Sequence, residues 1–213
     1  MDRNFIKRLM SSMIILPLSI LFIVKGSLFF ISFLGILFFV TSYEWIKMSK
    51  KKELMKIFGI LFLILSFYSA FQLRENLELN FFLFIILISI STDIGGYIFG
   101  KFLKGPKLTK ISPKKTYSGV IGSLLLPVFS GLIYIQYLPL KFETIKNEFN
   151  LTFLILILSI SVISQLGDLT ISYFKRLSKI KDTGKILPGH GGLLDRIDGL
   201  IFVIPIVYLF QII

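Results

Sequence analysis

Four aspartates carry the chemical interest of this sequence: Asp93, Asp168, Asp195 and Asp198. Asp93 and Asp168 interrupt long apolar runs, where an aspartate costs about 2.5–3.5 kcal/mol at a span centre. Acids kept at such positions usually face a bundle interior or water. Asp168 belongs to one helical stripe, Ser161, Ser164, Gln165, Asp168, Ser172 and Lys175, because residues three, four and seven apart share a helix face. Asp93 belongs to a matching stripe, Ser89, Thr92, Asp93, Gly96 and Gly100. Asp195 and Asp198, three residues apart, open the last apolar run. The glycines and serines of these stripes also suit plain helix packing, since Gly96-x-x-x-Gly100 lets backbones approach closely.

Cysteine is absent and His190 is the single histidine. Disulfides, thiolate metal sites, cysteine nucleophiles and His-pair metal sites are thereby excluded. Carboxylates gathered beside lysines and arginines favour a hard, oxygen-bound cation. Mg²⁺ fits best, because one or two carboxylates plus substrate phosphates hold it. Lys114, Lys115, Lys175, Arg176, Lys181 and Arg196 would then contact phosphate, or serve topology through their charge alone. Ser112-Pro113 suits a turn that presents the lysine pair. Gly189, Gly191 and Gly192 around His190 allow backbone N–H groups to approach phosphate oxygens. His190 suits either a substrate contact or a structural hydrogen bond. Asp182 reads as a local cap or a substrate contact, and Asp198 as a further ligand or a partner of Arg196.

The elements that must position these groups are membrane helices. Of 213 residues 54% are hydrophobic, 23 are Phe and only 17% are charged, against about 25% in soluble domains. Seven spans are expected, near residues 9–24, 28–43, 57–73, 81–100, 117–138, 151–174 and 199–213. The first reads as an uncleaved span and pairs with the second as a tight hairpin. Twenty of the 24 Lys and Arg fall before the first span or in residues 44–56, 101–116 and 175–198. This bias places those loops in the cytoplasm and residues 139–150 outside. The fold class is therefore an all-α polytopic integral membrane protein with its chemistry at cytoplasmic loops and helix ends. Residues 1–80 supply N-terminal helices and residues 81–213 the catalytic region, within one integral domain.

A longer pattern sharpens the reading. Ser172-Tyr173-Phe174-Lys175-Arg176, then Lys181-Asp182-Thr183-Gly184-Lys185-Ile186-Leu187-Pro188-Gly189-His190-Gly191-Gly192-Leu193-Leu194-Asp195-Arg196-Ile197-Asp198, resembles the signature of the phosphatidate cytidylyltransferases, or CDP-diacylglycerol synthases. Gln165-Leu166-Gly167-Asp168-Leu169, Ile111-Ser112-Pro113-Lys114-Lys115-Thr116, and Asp93 with Gly95-Gly96-Tyr97 also resemble that family. The likeness covers roughly residues 81–213. One departure is Ser118-Gly119, where members often carry a glutamate before the glycine.

The resemblance implies a membrane nucleotidyltransferase that joins CTP and phosphatidic acid into CDP-diacylglycerol and pyrophosphate, on the cytoplasmic side of a bacterial inner membrane. It implies Asp168 and Asp195 as Mg²⁺ ligands, with Lys175 and Arg176 in the catalytic centre. Ser112, Lys114, Lys115, Lys181, Asp182, His190, Gly191, Gly192, Arg196 and Asp198 would bind substrate, supported by Asp93 and Gln165. The expected partners are the two substrates and the bilayer; a homodimer is allowed and nucleic acid is not expected. A transporter is the main rival, but it predicts acids near the midplane and polar faces reaching the outer side. A CDP-alcohol phosphotransferase is a second, yet Leu200-Ile201-Phe202-Val203 breaks the string that Asp198-Gly199 begins. A polyprenol kinase-like relative is a third.

Overall fold

The computed structural model describes residues 3–50, 52–77, 79–109, 112, 115–137, 151–187 and 191–212. Among them the chain forms eight helices: α1 (Arg3–Lys25), α2 (Ser27–Met48), α3 (Glu53–Asn76), α4 (Leu79–Phe102), α5 (Tyr117–Tyr137), α6 (Leu151–Leu177), α7 (Leu194–Ile197) and α8 (Leu200–Ile212). Strand character among the described residues amounts to two isolated bridges, Lys107 with Thr116 and Leu187 with Gly191. Helix dominates because lipid offers no partners to the backbone, so every spanning segment must satisfy its own N–H and C=O groups. The protein is an all-α polytopic membrane protein.

Seven of these helices occupy the expected spans, and five of them, α2 to α6, are long and apolar enough to cross a membrane. The other two carry shorter apolar stretches, Ile15–Lys25 and Leu200–Phe210. The tight hairpin at the start is real: a single residue, Gly26, separates α1 from α2. Its φ of 64° is a left-handed conformation that suits glycine. The Arg74 guanidinium at the end of α3 closes over this corner, donating to the Ile23 carbonyl at 2.9 Å. The expected outer loop, residues 139–150, lies outside the described residues.

Small residues set the closest approach. A methyl group at Gly95 would strike the Gly122 carbonyl, and one at Gly122 would strike Phe99. The glycine face of α4 is therefore spent on packing against α5, as the packing alternative has it. Hydroxyls add interhelical bonds: Ser130 donates to Ser91 at 2.9 Å, and Ser66 on α3 donates to the Ile201 carbonyl on α8 at 2.7 Å. One apolar cluster, around Phe30, Leu73, Phe84, Ile88, Phe153 and Val203, fills the bundle. A second, of Trp45, Met48, Leu63, Ile171, Leu194 and Ile201, lies beneath the segment between α6 and α8. Side chains such as Phe39 and Phe129 face outward, as a lipid-contacting surface requires.

Candidate active site

Asp168 and Asp195 come from different elements, α6 and α7. Asp168 lies about two and a half turns before the end of α6, and its neighbour Gly167 decides what it meets. A methyl group at Gly167 would press on the Asp198 carbonyl at 2.9 Å and on the Phe202 ring. Without it, α6 rests against the chain entering α8, and the Asp168 and Asp198 carboxyl groups are close enough to act on each other. Gly199 makes a similar close approach to Ser164. Burial lifts the Asp198 carboxyl well above the usual carboxylate range, and the Asp168 charge adds to the lift. The Asp198 carboxylate also accepts the Gly199 N–H at 3.0 Å.

Lysines approach this pair from two sides. Lys115, two residues before α5, places its ammonium 2.6 Å from Asp168. It is presented by a turn in which the Lys115 N–H donates to the Ser112 carbonyl at 3.0 Å, while the Ser112 N–H donates to the Thr109 hydroxyl at 3.2 Å. Lys175, one turn beyond Ser172, is buried and lies 2.9 Å from Asp195. Its charge also acts on Asp198. Ser172 donates to Asp168 at 3.2 Å. Asp93 on α4 is accessible, with Asp168, Lys115 and Arg196 as its electrostatic neighbours. Lys115 from before α5 and Asp198 from before α8 thus both reach Asp168.

Asp195 organises the segment it sits in. One oxygen takes Lys175; the other accepts the N–H groups of Thr183 at 2.8 Å and Gly192 at 3.0 Å. Burial works to raise its carboxyl, but the Lys175 contact and these two N–H groups outweigh it and hold the group below its ordinary 3.8. The Gly192 N–H, expected to face phosphate, is therefore engaged by Asp195. Gly191, at φ 89°, turns the chain so that its carbonyl accepts the Leu187 N–H at 3.0 Å.

Other expected residues take different places. Arg176 donates to the Ile180 carbonyl at 2.9 Å, closing the end of α6. Gln165 reaches the Ser161 carbonyl of its own helix at 3.4 Å. Lys181, Asp182 and Arg196 are exposed. Pro113, Lys114, Gly189 and His190 lie outside the described residues. Sequence reasoning missed Glu44, in the last two turns of α2. Its carboxylate is 1% exposed and accepts from Thr183 Oγ1 at 3.0 Å and from the Leu193 and Leu194 N–H groups at 3.0 and 2.8 Å. The available signal was a lone acid at the end of an apolar run, before Trp45.

Beside this cluster an apolar cavity of about 550 Å³ opens between helices. Leu187, Leu193 and Arg196 line it nearest the carboxylates, and Phe30, Phe67 and Phe82 line it deeper in the bundle. Among the described residues no three of His, Asp and Glu are arranged as a metal cluster. The Asp168–Asp198 contact nevertheless sets two carboxyl groups against each other, and the ammonium groups of Lys115 and Lys175 supply positive charge beside them. Carboxylate oxygens are the donor type that Mg²⁺ takes from a protein.

The pattern of the cytidylyltransferase family matches residues 52–213, which include every site residue above except Glu44. A phosphatidate cytidylyltransferase of Rickettsia bellii is 35% identical over 214 residues, covering 96% of this chain and 90% of the relative. Phosphatidate cytidylyltransferases of Brucella suis and Staphylococcus saprophyticus are 39% and 38% identical over 153 and 154 residues. Those alignments take in 68% and 70% of this chain but only 54% and 55% of the relatives, so the chain spans about half their length. Through these matches and its own site residues, this chain belongs to the cytidylyltransferase family.

Proposed function

We propose that this protein transfers the cytidylyl group of CTP to phosphatidic acid, giving CDP-diacylglycerol and releasing pyrophosphate. The observation that carries the reading is the junction of a carboxylate–lysine cluster with an apolar cavity, Arg196 lining the cavity on the cluster's side. A substrate with a phosphate head and acyl chains needs both surfaces at once. The related phosphatidate cytidylyltransferases give the reading its chemistry.

In the reaction a phosphate oxygen of phosphatidic acid attacks the α-phosphorus of CTP. The new P–O bond forms as the bond to the β-phosphate bridging oxygen breaks, and pyrophosphate leaves with that electron pair. The attacking phosphate is already anionic near neutral pH, so no side chain has to remove a proton. The chief obstacle is bringing one anion to another, which positioning and charge neutralisation overcome. Lys115, Lys175 and Arg196 provide positive charge. Asp168 and Asp195, with Asp198 beside them, would hold Mg²⁺, which when bound neutralises triphosphate charge. Lys115 and Lys175, now paired with carboxylates, would then be available to phosphate oxygens. The cavity receives an acyl chain and keeps the lipid phosphate at the bundle end.

The charge bias supports a cytoplasmic active site. Single cysteines at Lys179 and Lys146 test it, since the chain has no cysteine of its own. An impermeant thiol reagent on intact cells should label position 146 and spare 179; the reverse would overturn the orientation. The activity itself is tested with purified protein, radiolabelled CTP and vesicles containing phosphatidic acid. A cytidine label in the lipid phase is the expected result. Absence of label with both substrates and Mg²⁺ present would overturn the reading.

A further inference from the structure

We infer that Glu44 is a positioning residue for the transfer reaction: from α2 it latches together the two halves of the segment that carries Asp195. This inference rests on the proposed function for its kinetic consequences, while the latch itself is geometric. Three donors converge on one buried carboxylate. Leu193 and Leu194 give their N–H groups at the entry to α7, and Thr183 gives its hydroxyl from ten residues earlier. Thr183 is also held from its other end, its N–H donating to Asp195 at 2.8 Å. Glu44 and Asp195 therefore grip the same residue from opposite sides, and Gly192 completes the ring through its N–H to Asp195.

The surroundings are shaped to the carboxylate. A methyl group at Gly184 or Gly192 would collide with the Glu44 side chain. The neighbouring Trp45 fixes this end of α2: its indole N–H donates to the Met55 carbonyl at 3.0 Å, and its ring meets Phe174 edge-on at 5.3 Å. Phe174 precedes Lys175, the residue that pairs with Asp195. Glu44 thus carries α2 to the catalytic segment by hydrogen bonds, although the family pattern begins after it, at residue 52.

The chemistry of the donors makes Glu44→Gln informative. A carboxylate accepts at both oxygens, whereas a glutamine places an NH₂ group on one side. The hydroxyl of Thr183 can reverse to accept from it, but the backbone N–H groups cannot. Glu44→Gln keeps the shape and leaves an N–H facing a donor. Lost contacts of this charge-assisted kind correspond to a fall of about tenfold to a hundredfold in kcat. Because Glu44 is buried and its oxygens are taken by the segment itself, KM for CTP should stay within about twofold of wild type.

The experiment measures kcat and KM per folded molecule for wild type, Glu44→Gln and Glu44→Asp, with tryptic cleavage at Lys181 and Lys185 followed in parallel. The proposal expects a fall in kcat with little change in KM, partial recovery in Glu44→Asp, and faster cleavage of the segment in Glu44→Gln. A double-mutant cycle with Asp195→Asn should show the Glu44→Gln loss largely absorbed. Wild-type kcat in folded Glu44→Gln would overturn the proposal, as would a full additive loss in the cycle. If Glu44→Gln does not fold, Thr183→Val takes its place, removing only the hydroxyl contact, and unchanged kcat there overturns it. If wild type forms no lipid-linked cytidine, the reaction reading fails instead. Cleavage rates then judge the latch, equal rates in wild type and Glu44→Gln overturning it.

Discussion

Lys175 and Asp195 form an ion pair of 2.9 Å, with their side chains only 10% and 9% exposed. They come from separate elements, α6 and α7, so the pair ties the end of a membrane helix to the segment before α8. Removing one partner of a buried pair leaves an uncompensated charge, at a cost of about 3–5 kcal/mol.

Lys175→Met should therefore lower the unfolding temperature in detergent and abolish turnover. The double variant with Asp195→Asn removes both charges. It should recover much of the stability while remaining inactive, because replacing both partners is often nearly neutral. Thermal unfolding beside a turnover assay reads the two effects separately. Recovery of activity in the double variant would show that the pair serves the fold alone.

Lys115 and Lys56 make a second comparison. Lys115 meets Asp168 beside the other carboxylates, whereas Lys56 meets Glu53 at 2.7 Å on an open helix face, with the Glu53 side chain 72% exposed. Exposed pairs of this kind contribute little. Lys115→Ala should reduce kcat/KM about tenfold to a hundredfold, the equivalent of one charge-assisted contact. Lys56→Ala should remain close to wild type. Equal losses in steady-state assays would assign both lysines to charge topology.

The α4–α5 seam gives a packing prediction. A methyl at Gly122 meets the Phe99 ring and the Gly95 carbonyl, while a methyl at Gly35 meets nothing within 4 Å. Gly122→Ala should destabilise by about 1–3 kcal/mol, as overpacking does. Gly35→Ala, in the middle of α2, should be neutral or slightly stabilising. Unfolding temperatures of the two purified variants check the contrast.

Much of this arrangement is legible in the chain itself. Apolar blocks separated by charged loops mark the long helices, and the stripe from Ser161 to Lys175 marks the face of α6 that holds Asp168. Three things resist such reading. The four-residue α7 is too short to show a period. The partner of Asp168 depends on Gly167 and Gly199 letting α6 meet the entry to α8, a contact between segments that spacing alone does not reveal. Glu44 looks like the first polar residue of a basic loop, and only the fold carries it to Thr183 and Leu194, some 140–150 residues away. Two further contacts are set by the fold rather than by spacing. Arg176 closes its own helix end, and the Gly192 N–H serves Asp195.

The central claim is that Asp168 and Asp195 serve one Mg²⁺-dependent cytidylyl transfer. The direct measurement is lipid-phase cytidine formed from labelled CTP and phosphatidic acid, by folded Asp168→Asn and Asp195→Asn beside wild type, across a Mg²⁺ titration. Asparagine keeps each shape and removes the charge a hard cation needs. Wild-type activity should vanish with EDTA and return with Mg²⁺. Each single variant should lose at least about a hundredfold in rate, or roughly 2.7 kcal/mol of barrier. The double variant should be little worse, since both residues serve one centre. Near wild-type turnover in either folded variant, or product formation undiminished by EDTA, would contradict the account.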